Sequence, residues 1–302
     1  MPYIDGTGIK VNPAEGDGKG YILVSQADKY THRVFNNGSF ELGGRFYGGW
    51  WQRCPSRMRD DILIDNHVTV EIDYSSLHPT ILYTYVGINY WKDVGRDPYS
   101  IGRLSFEDDE GETRRLAKAV LLILFNIDDD AKLPAAFRRN AKAGSREKKL
   151  TDQQINEITD KLREIHSPIS EFFCSGIGLT LQYEDSKVTE KIVAFFVDQG
   201  WPVLLVHDSY IVPDGLHEEL ELVMERSFKE IFGEEFHSQA KYSGYTYENV
   251  MDELNARYSH ADARQSPEEQ QEDLTLYRTV APERSKEFLQ EWHLFETWRN
   301  SL

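Results

Sequence analysis

Three short segments carry side chains of the types that do chemistry on charged substrates. In Glu71-Ile72-Asp73-Tyr74-Ser75-Ser76-Leu77-His78-Pro79, an aspartate closes an alternating apolar and polar run just before a helical stretch begins. A carboxylate at such a strand-to-helix junction sits beside exposed backbone. In Arg114-Arg115-Leu116-Ala117-Lys118-Ala119-Val120-Leu121-Leu122, Arg114 and Lys118 are four residues apart, so a helix presents both on one face. Two cations so placed can grip one polyphosphate through charge-assisted hydrogen bonds. In Val206-His207-Asp208-Ser209, a second aspartate falls between two short apolar runs, at the tip of a hairpin. Taken singly, each of these side chains also suits a solvated face or a turn.

The elements that must position them follow from periodicity. Val68, Val70 and Ile72 alternate with Thr69, Glu71 and Asp73, which is the period of a strand. Residues 76–86 then turn helical. An acidic loop at 107–112 precedes a helix over 113–126, with carboxylates at its positive end. Further helices are predicted at 150–164, 177–197, 216–232 and 282–298. Residues 203–206 and 210–212 read as the two strands of the hairpin. Residues 1–20 read as a loose arm, 21–24 as a short strand, 43–52 as a loop dense in glycine and aromatics, and 259–273 as a polar linker.

Composition limits the alternatives. The chain has 302 residues, 40% of them hydrophobic, enough to bury a core in one large or two modest domains. Cys54 and Cys174 are too few for a disulfide framework and belong to no CxxC pair, so they read as reduced thiols. The first residues lack a basic stretch followed by an apolar one, and the longest apolar run, 119–125, is far short of a bilayer span. A soluble, cytoplasmic protein with no membrane partner is expected. The formal net charge of −17 argues against nucleic-acid binding, which needs Lys and Arg against phosphates. Residues 33–165, however, are close to charge balance. Their densest basic segment runs from Arg138-Arg139-Asn140-Ala141-Lys142 to Lys148-Lys149.

Two carboxylates far apart in sequence, with a phosphate-gripping helix between them, resemble the palm-domain polymerases. The similarity is to family A DNA polymerases and the related single-subunit RNA polymerases of phages and mitochondria. Asp73-Tyr74-Ser75 resembles their motif A, Arg114-Arg115-x-Ala117-Lys118-Ala119 motif B, and His207-Asp208-Ser209 motif C. Upstream, Gly44-Arg45-Phe46-Tyr47, Gln52 and Pro55 resemble the Gly-Arg segment that precedes motif A. The likeness runs from about Gly43 to Glu219. It departs at Asn126-Ile127, where relatives carry an aromatic-Gly pair, and at Leu122, often aromatic in the DNA enzymes. Ser76-Leu77-His78-Pro79 reads more like the family B form of motif A.

The resemblance implies an α+β fold: a palm of small antiparallel sheet and helices (67–105 and 177–255) with helical fingers (106–176). Residues 1–66 would be an arm and a template-contacting segment, and 256–302 a linker and C-terminal helix. It implies two-metal nucleotidyl transfer, with magnesium, or alternatively manganese, held by Asp73, Asp208 and a backbone carbonyl at Tyr74. Arg114, Lys118, Leu122, His78 and Tyr74 would contact the nucleotide. Arg45, Gln52 and His207 would contact a DNA primer–template, and the substrates would be dNTPs, since His78 is bulky where relatives face the sugar. With 72 residues before Asp73, a minimal enzyme assisted by a processivity or replication protein is expected. The alternatives are an RNA-synthesising or primase-like enzyme, a terminal transferase, and an inactive palm serving as a replication scaffold.

Overall fold

Alternating apolar side chains bury one face of a strand, and at residues 67–74 that alternation organises the molecule. The computed structural model describes residues 9–10, 21–22, 26–59, 62–64 and 67–243. Two antiparallel pairs come first: β1 (Ile9–Lys10) with β2 (Tyr21–Ile22), and β3 (His32–Asn36) with β4 (Ser39–Tyr47). Helix α1 (Ser56–Arg59) and β5 (Leu63–Ile64) lead into β6 (His67–Tyr74) and helix α2 (Leu77–Tyr85). Then come α3 (Glu110–Asn126), α4 (Leu133–Asn140), α5 (Asp152–Ile165) and the long α6 (Gly178–Asp198). The hairpin β7 (Leu204–Val206) and β8 (Ser209–Pro213), helix α7 (His217–Phe232) and β9 (Ala240–Ser243) complete the described chain.

The main sheet has the order β5-β6-β8-β7, with β9 also paired to β6, and every pairing is antiparallel. Helices and antiparallel strands together make the fold α+β, as expected. On β6, Val70, Ile72 and Tyr74 are buried in the main core with residues of α2, α3, α5, α6 and α7. Each such buried aliphatic side chain contributes roughly 1.5–3 kcal/mol. The opposite face of the sheet carries a smaller cluster in which Trp50, Trp51, Cys54 and Ile62 pack on Ile211. The sheet is thus covered on both faces, and Glu71 on the polar side of β6 is buried rather than solvated. Arg59 meets it through two hydrogen bonds, 2.7 and 2.9 Å.

The predicted helix at 113–126 begins earlier, at Glu110, because Asp109 caps it: its carboxylate accepts from the Glu112 amide at 2.7 Å. The helix predicted from residue 150 starts at Asp152 behind a capping box formed by Thr151 and Gln154. The first half of the expected glycine/aromatic loop is instead strand. Residues 43–47 belong to β4, and Gly43 and Gly44 take positive φ (75° and 81°) at a register shift opposite Val34–Asn36. A Cβ at Gly44 would come within 3.0 Å of Ser186 Oγ, so glycine there lets β4 lie against α6. The basic segment that starts in the last turn of α4 is partly neutralised, with Arg138 paired to Asp152 and Arg146 to Glu107. No described helix is long and apolar enough to cross a membrane. The expected linker at 259–273 and helix at 282–298 lie outside the described residues, as does the arm at 1–20 apart from two residues of β1.

Candidate active site

Asp73 is the penultimate residue of β6, and Asp208 follows His207 in the two-residue turn between β7 and β8. Strand pairing brings them together: Asp73 is in register with Ser209, and the Tyr74 amide donates to the Asp208 carbonyl at 3.2 Å. The turn requires His207 to take φ 60°, a left-handed position that two-residue hairpins commonly give to glycine. Beneath it, the Ser209 hydroxyl donates to Glu71 at 2.6 Å, which fixes the start of β8 against β6.

Both aspartates open into one cleft of about 260 Å³, whose other walls include Arg114, Lys118 and Leu122 of α3. These three residues are spaced by four, so one helical face supplies them all. Tyr99, buried below, packs its ring against the cations: Arg114 lies 5.1 Å and Lys118 5.7 Å from its centroid. Arg114 is also held by Asp97 through an ion pair. Among the described residues Lys118 makes no such pair, and its charge acts on Asp73.

At Asp73, burial and a second carboxylate outweigh the nearby positive charges. Burial, and then the neighbouring Asp208, push its carboxyl up to about 7 against the opposing pull of Lys118. Its Oδ1 is buried and has no hydrogen-bond partner among the described residues. Among the described residues no group of three or more His, Cys, Asp or Glu side chains is arranged to hold a metal. The fit to a hard divalent cation therefore rests on two carboxylates and the carbonyl edge at Tyr74, an all-oxygen donor set suited to magnesium. The partnerless buried oxygen of Asp73 is what such an ion would satisfy.

The remaining predicted residues divide. His78 and Arg45 line the cleft. Tyr74 lines it too, but its side chain turns into the core, where the hydroxyl donates to the Met224 carbonyl at 2.6 Å. With its side chain in the core, Tyr74 offers the cleft its backbone. Gln52 does not line the cleft. Its amide nitrogen donates to the carbonyls of Phe46 and Leu205, both at 2.9 Å, and its oxygen accepts from the Gly48 amide. Those bonds stitch the end of β4 to β7. His207 stands outside the cleft, edge-on to Tyr47 with ring centroids 5.3 Å apart. Burial and then Arg45 hold its imidazole below the ordinary value.

Sequence reasoning missed Asp185 and Lys241. Asp185 lies on α6 and is 1% exposed, yet it accepts from Arg45 Nε at 2.9 Å and contacts His78 Nε2 at 2.9 Å. Burial works against the Arg45 charge, and Asp185, with smaller help from Asp208 and Tyr47, more than offsets it. The signal was available: Asp185 falls on the buried stripe of Leu181, Val188 and Ile192, where a charge needs a partner. Lys241 reaches the cleft from β9.

No protein-family model matches the chain, and no curated protein matches it in sequence. Among solved structures it is similar to the polymerase domain of Pol1 from M. smegmatis, determined in complex with DNA primer-template and dNTP. The TM-score is 0.47 at 14% sequence identity, over 73% of this chain and 48% of that one.

Proposed function

We propose that this chain is a nucleotidyltransferase that extends a DNA primer on a template, a DNA-directed DNA polymerase. The observation that carries the reading is the shared cleft. Asp73 at the end of β6 and Asp208 in the turn leading into β8, its partner strand, are 135 residues apart and share one cleft with Arg114 and Lys118 of a single helix. The order of the three motif-like segments along the chain supports the same reading.

In this reaction the primer 3′-hydroxyl oxygen bonds to the α-phosphorus of the incoming nucleotide. The bond from that phosphorus to the α–β bridging oxygen breaks, pyrophosphate leaves with the electron pair, and the hydroxyl proton passes to water. Lys118 and Arg114 bind the triphosphate by charge-assisted hydrogen bonds. Asp73, Asp208 and the Tyr74 carbonyl would hold magnesium, which when bound supplies positive charge at the attacking and leaving oxygens. His207 and the Tyr47 ring beside it flank the primer terminus, and Arg45 and His78 form the wall facing the sugar and the end of the duplex.

The test is primer extension with dNTPs and NTPs offered separately, on DNA and RNA templates, in magnesium or manganese. Wild type is expected to extend a DNA primer with dNTPs, and Asp73→Asn or Asp208→Asn to abolish extension while leaving the melting curve cooperative. Extension that survives both substitutions removes the proposal.

A further inference from the structure

Besides Arg45, Arg114 and Lys118, the cleft has a fourth cation, which neither the motif-like segments nor the helix α3 supplies. In β9, Lys241 pairs directly across from Asp73. Residues directly opposite in an antiparallel pair share a face of the sheet. Ala240 and Tyr242, its neighbours in sequence, pack on the main core. Lys241 therefore points the other way, to the side of Asp73, where it is exposed and lines the cleft. Across the sheet the order is Asp208 before β8, Asp73 on β6 and Lys241 on β9, with about 4.8 Å from strand to strand. Two negative groups are followed by one positive group on the flank away from Asp208 and His207.

We infer that Lys241 is a phosphate-binding residue of the cleft, taking the β- and γ-phosphates of the nucleotide and the pyrophosphate that leaves. This rests on the nucleotidyltransferase reading and deepens it. That reading puts the primer terminus on the β7–β8 flank, so the departing end of the triphosphate lies on the opposite one. The pyrophosphate departs with the electrons of the broken P–O bond, and an ammonium on that flank neutralises the charge it gains. A lysine on an outer strand also discourages edge-to-edge pairing, but that role needs no particular register. The placement directly across from Asp73, with the side chain lining the nucleotide cleft, is what the phosphate role adds.

The experiment measures binding of inorganic pyrophosphate in magnesium by calorimetry, alongside single-nucleotide incorporation, for wild type, Lys241→Gln and Lys241→Arg. Loss of one charge-assisted contact is expected to weaken pyrophosphate binding of Lys241→Gln about tenfold. KM for the nucleotide should rise comparably with kcat less affected, and Lys241→Arg should restore most of both. Equal pyrophosphate affinity in wild type and Lys241→Gln, or a wild type that binds none, overturns the assignment. If wild type extends no primer yet loses pyrophosphate binding on Lys241→Gln, the polymerase reading fails and the phosphate site stands. If Lys241→Gln extends primers with unchanged KM and pyrophosphate affinity, the site fails and the polymerase reading stands.

Discussion

Arg45 and Asp185, 140 residues apart, meet in a buried ion pair that ties β4 to α6 beside the cleft. The Asp185 side chain is 1% exposed and that of Arg45 16%, so the carboxylate in particular has little access to water. Removing one partner of such a pair strands the other, typically at a cost of about 3–5 kcal/mol. Asp185→Ala and Arg45→Ala are therefore each expected to lower unfolding stability by that order in the absence of any nucleic acid, measured by urea denaturation. Loss of primer–template binding on Arg45→Ala with unchanged stability would make Arg45 a surface contact alone.

The two aspartates predict an unusual pH dependence. The Asp73 carboxyl is held near 7 in the folded chain, against an ordinary value near 4, so the folded state binds the extra proton. Stability is then full below about pH 4 for this group and falls as pH rises through 7, by about 4 kcal/mol at most. In EDTA the melting temperature should drop between pH 5 and 8 more than in an Asp73→Asn variant. Magnesium should recover that drop in wild type and not in the variant. A melting temperature that climbs over the same range in EDTA would reverse the sign of this group's contribution.

The cations of α3 should not contribute equally. Arg114 is engaged by Asp97, whereas Lys118 has no ion-pair partner among the described residues. Lys118→Ala is expected to raise the KM for nucleotide about tenfold or more, the value of one charge-assisted contact. Arg114→Ala should cost less, because a triphosphate must compete with Asp97 for the guanidinium. Steady-state incorporation kinetics of the two variants decide it, and a larger loss at Arg114 would show that Asp97 orients that side chain rather than competing for it.

What could be read from the chain and what could not divide by distance along it. The period of two before Asp73, the apolar runs around His207-Asp208 and the four-residue spacing of Arg114 and Lys118 are local signals. The elements they indicate are present as β6, the β7–β8 hairpin and α3. The loop expected around Gly43 was misjudged because two glycines together suggest a turn, whereas here they carry a bulge within β4. Gln52 looked like a polar group available to a ligand, but its partners are backbone carbonyls 6 and 153 residues away. Lys241 gave no signal, since its position depends on β9 finding β6 in one register. The charge at Asp185 was visible on an apolar stripe, but nothing local says that Arg45 answers it.

In the polymerase reading proposed above, His78 is the candidate gate for the sugar, and its ring contacts Asp185. Nε2 lies 2.9 Å from the carboxylate and 3.2 Å from Arg45 Nη2. A carboxylate only accepts and a guanidinium only donates, so one proton on Nε2 satisfies the shorter contact and opposes the longer. With Nε2 donating to Asp185, the neutral ring keeps Nδ1 as its acceptor. The bulk of the imidazole works against a 2′-hydroxyl, while an acceptor within reach of that hydroxyl would favour it. A desolvated hydroxyl without a partner costs roughly 1–3 kcal/mol, so steric exclusion here is worth tens-fold rather than thousands-fold. Single-nucleotide incorporation should show wild type preferring dATP to ATP by that order, and His78→Gly bringing the two close to parity. Asp185→Asn should shift the ratio as well, because its amide can donate to Nε2 and so turn the ring to its other tautomer. Wild type using ATP and dATP equally would remove His78 as the gate and favour RNA synthesis.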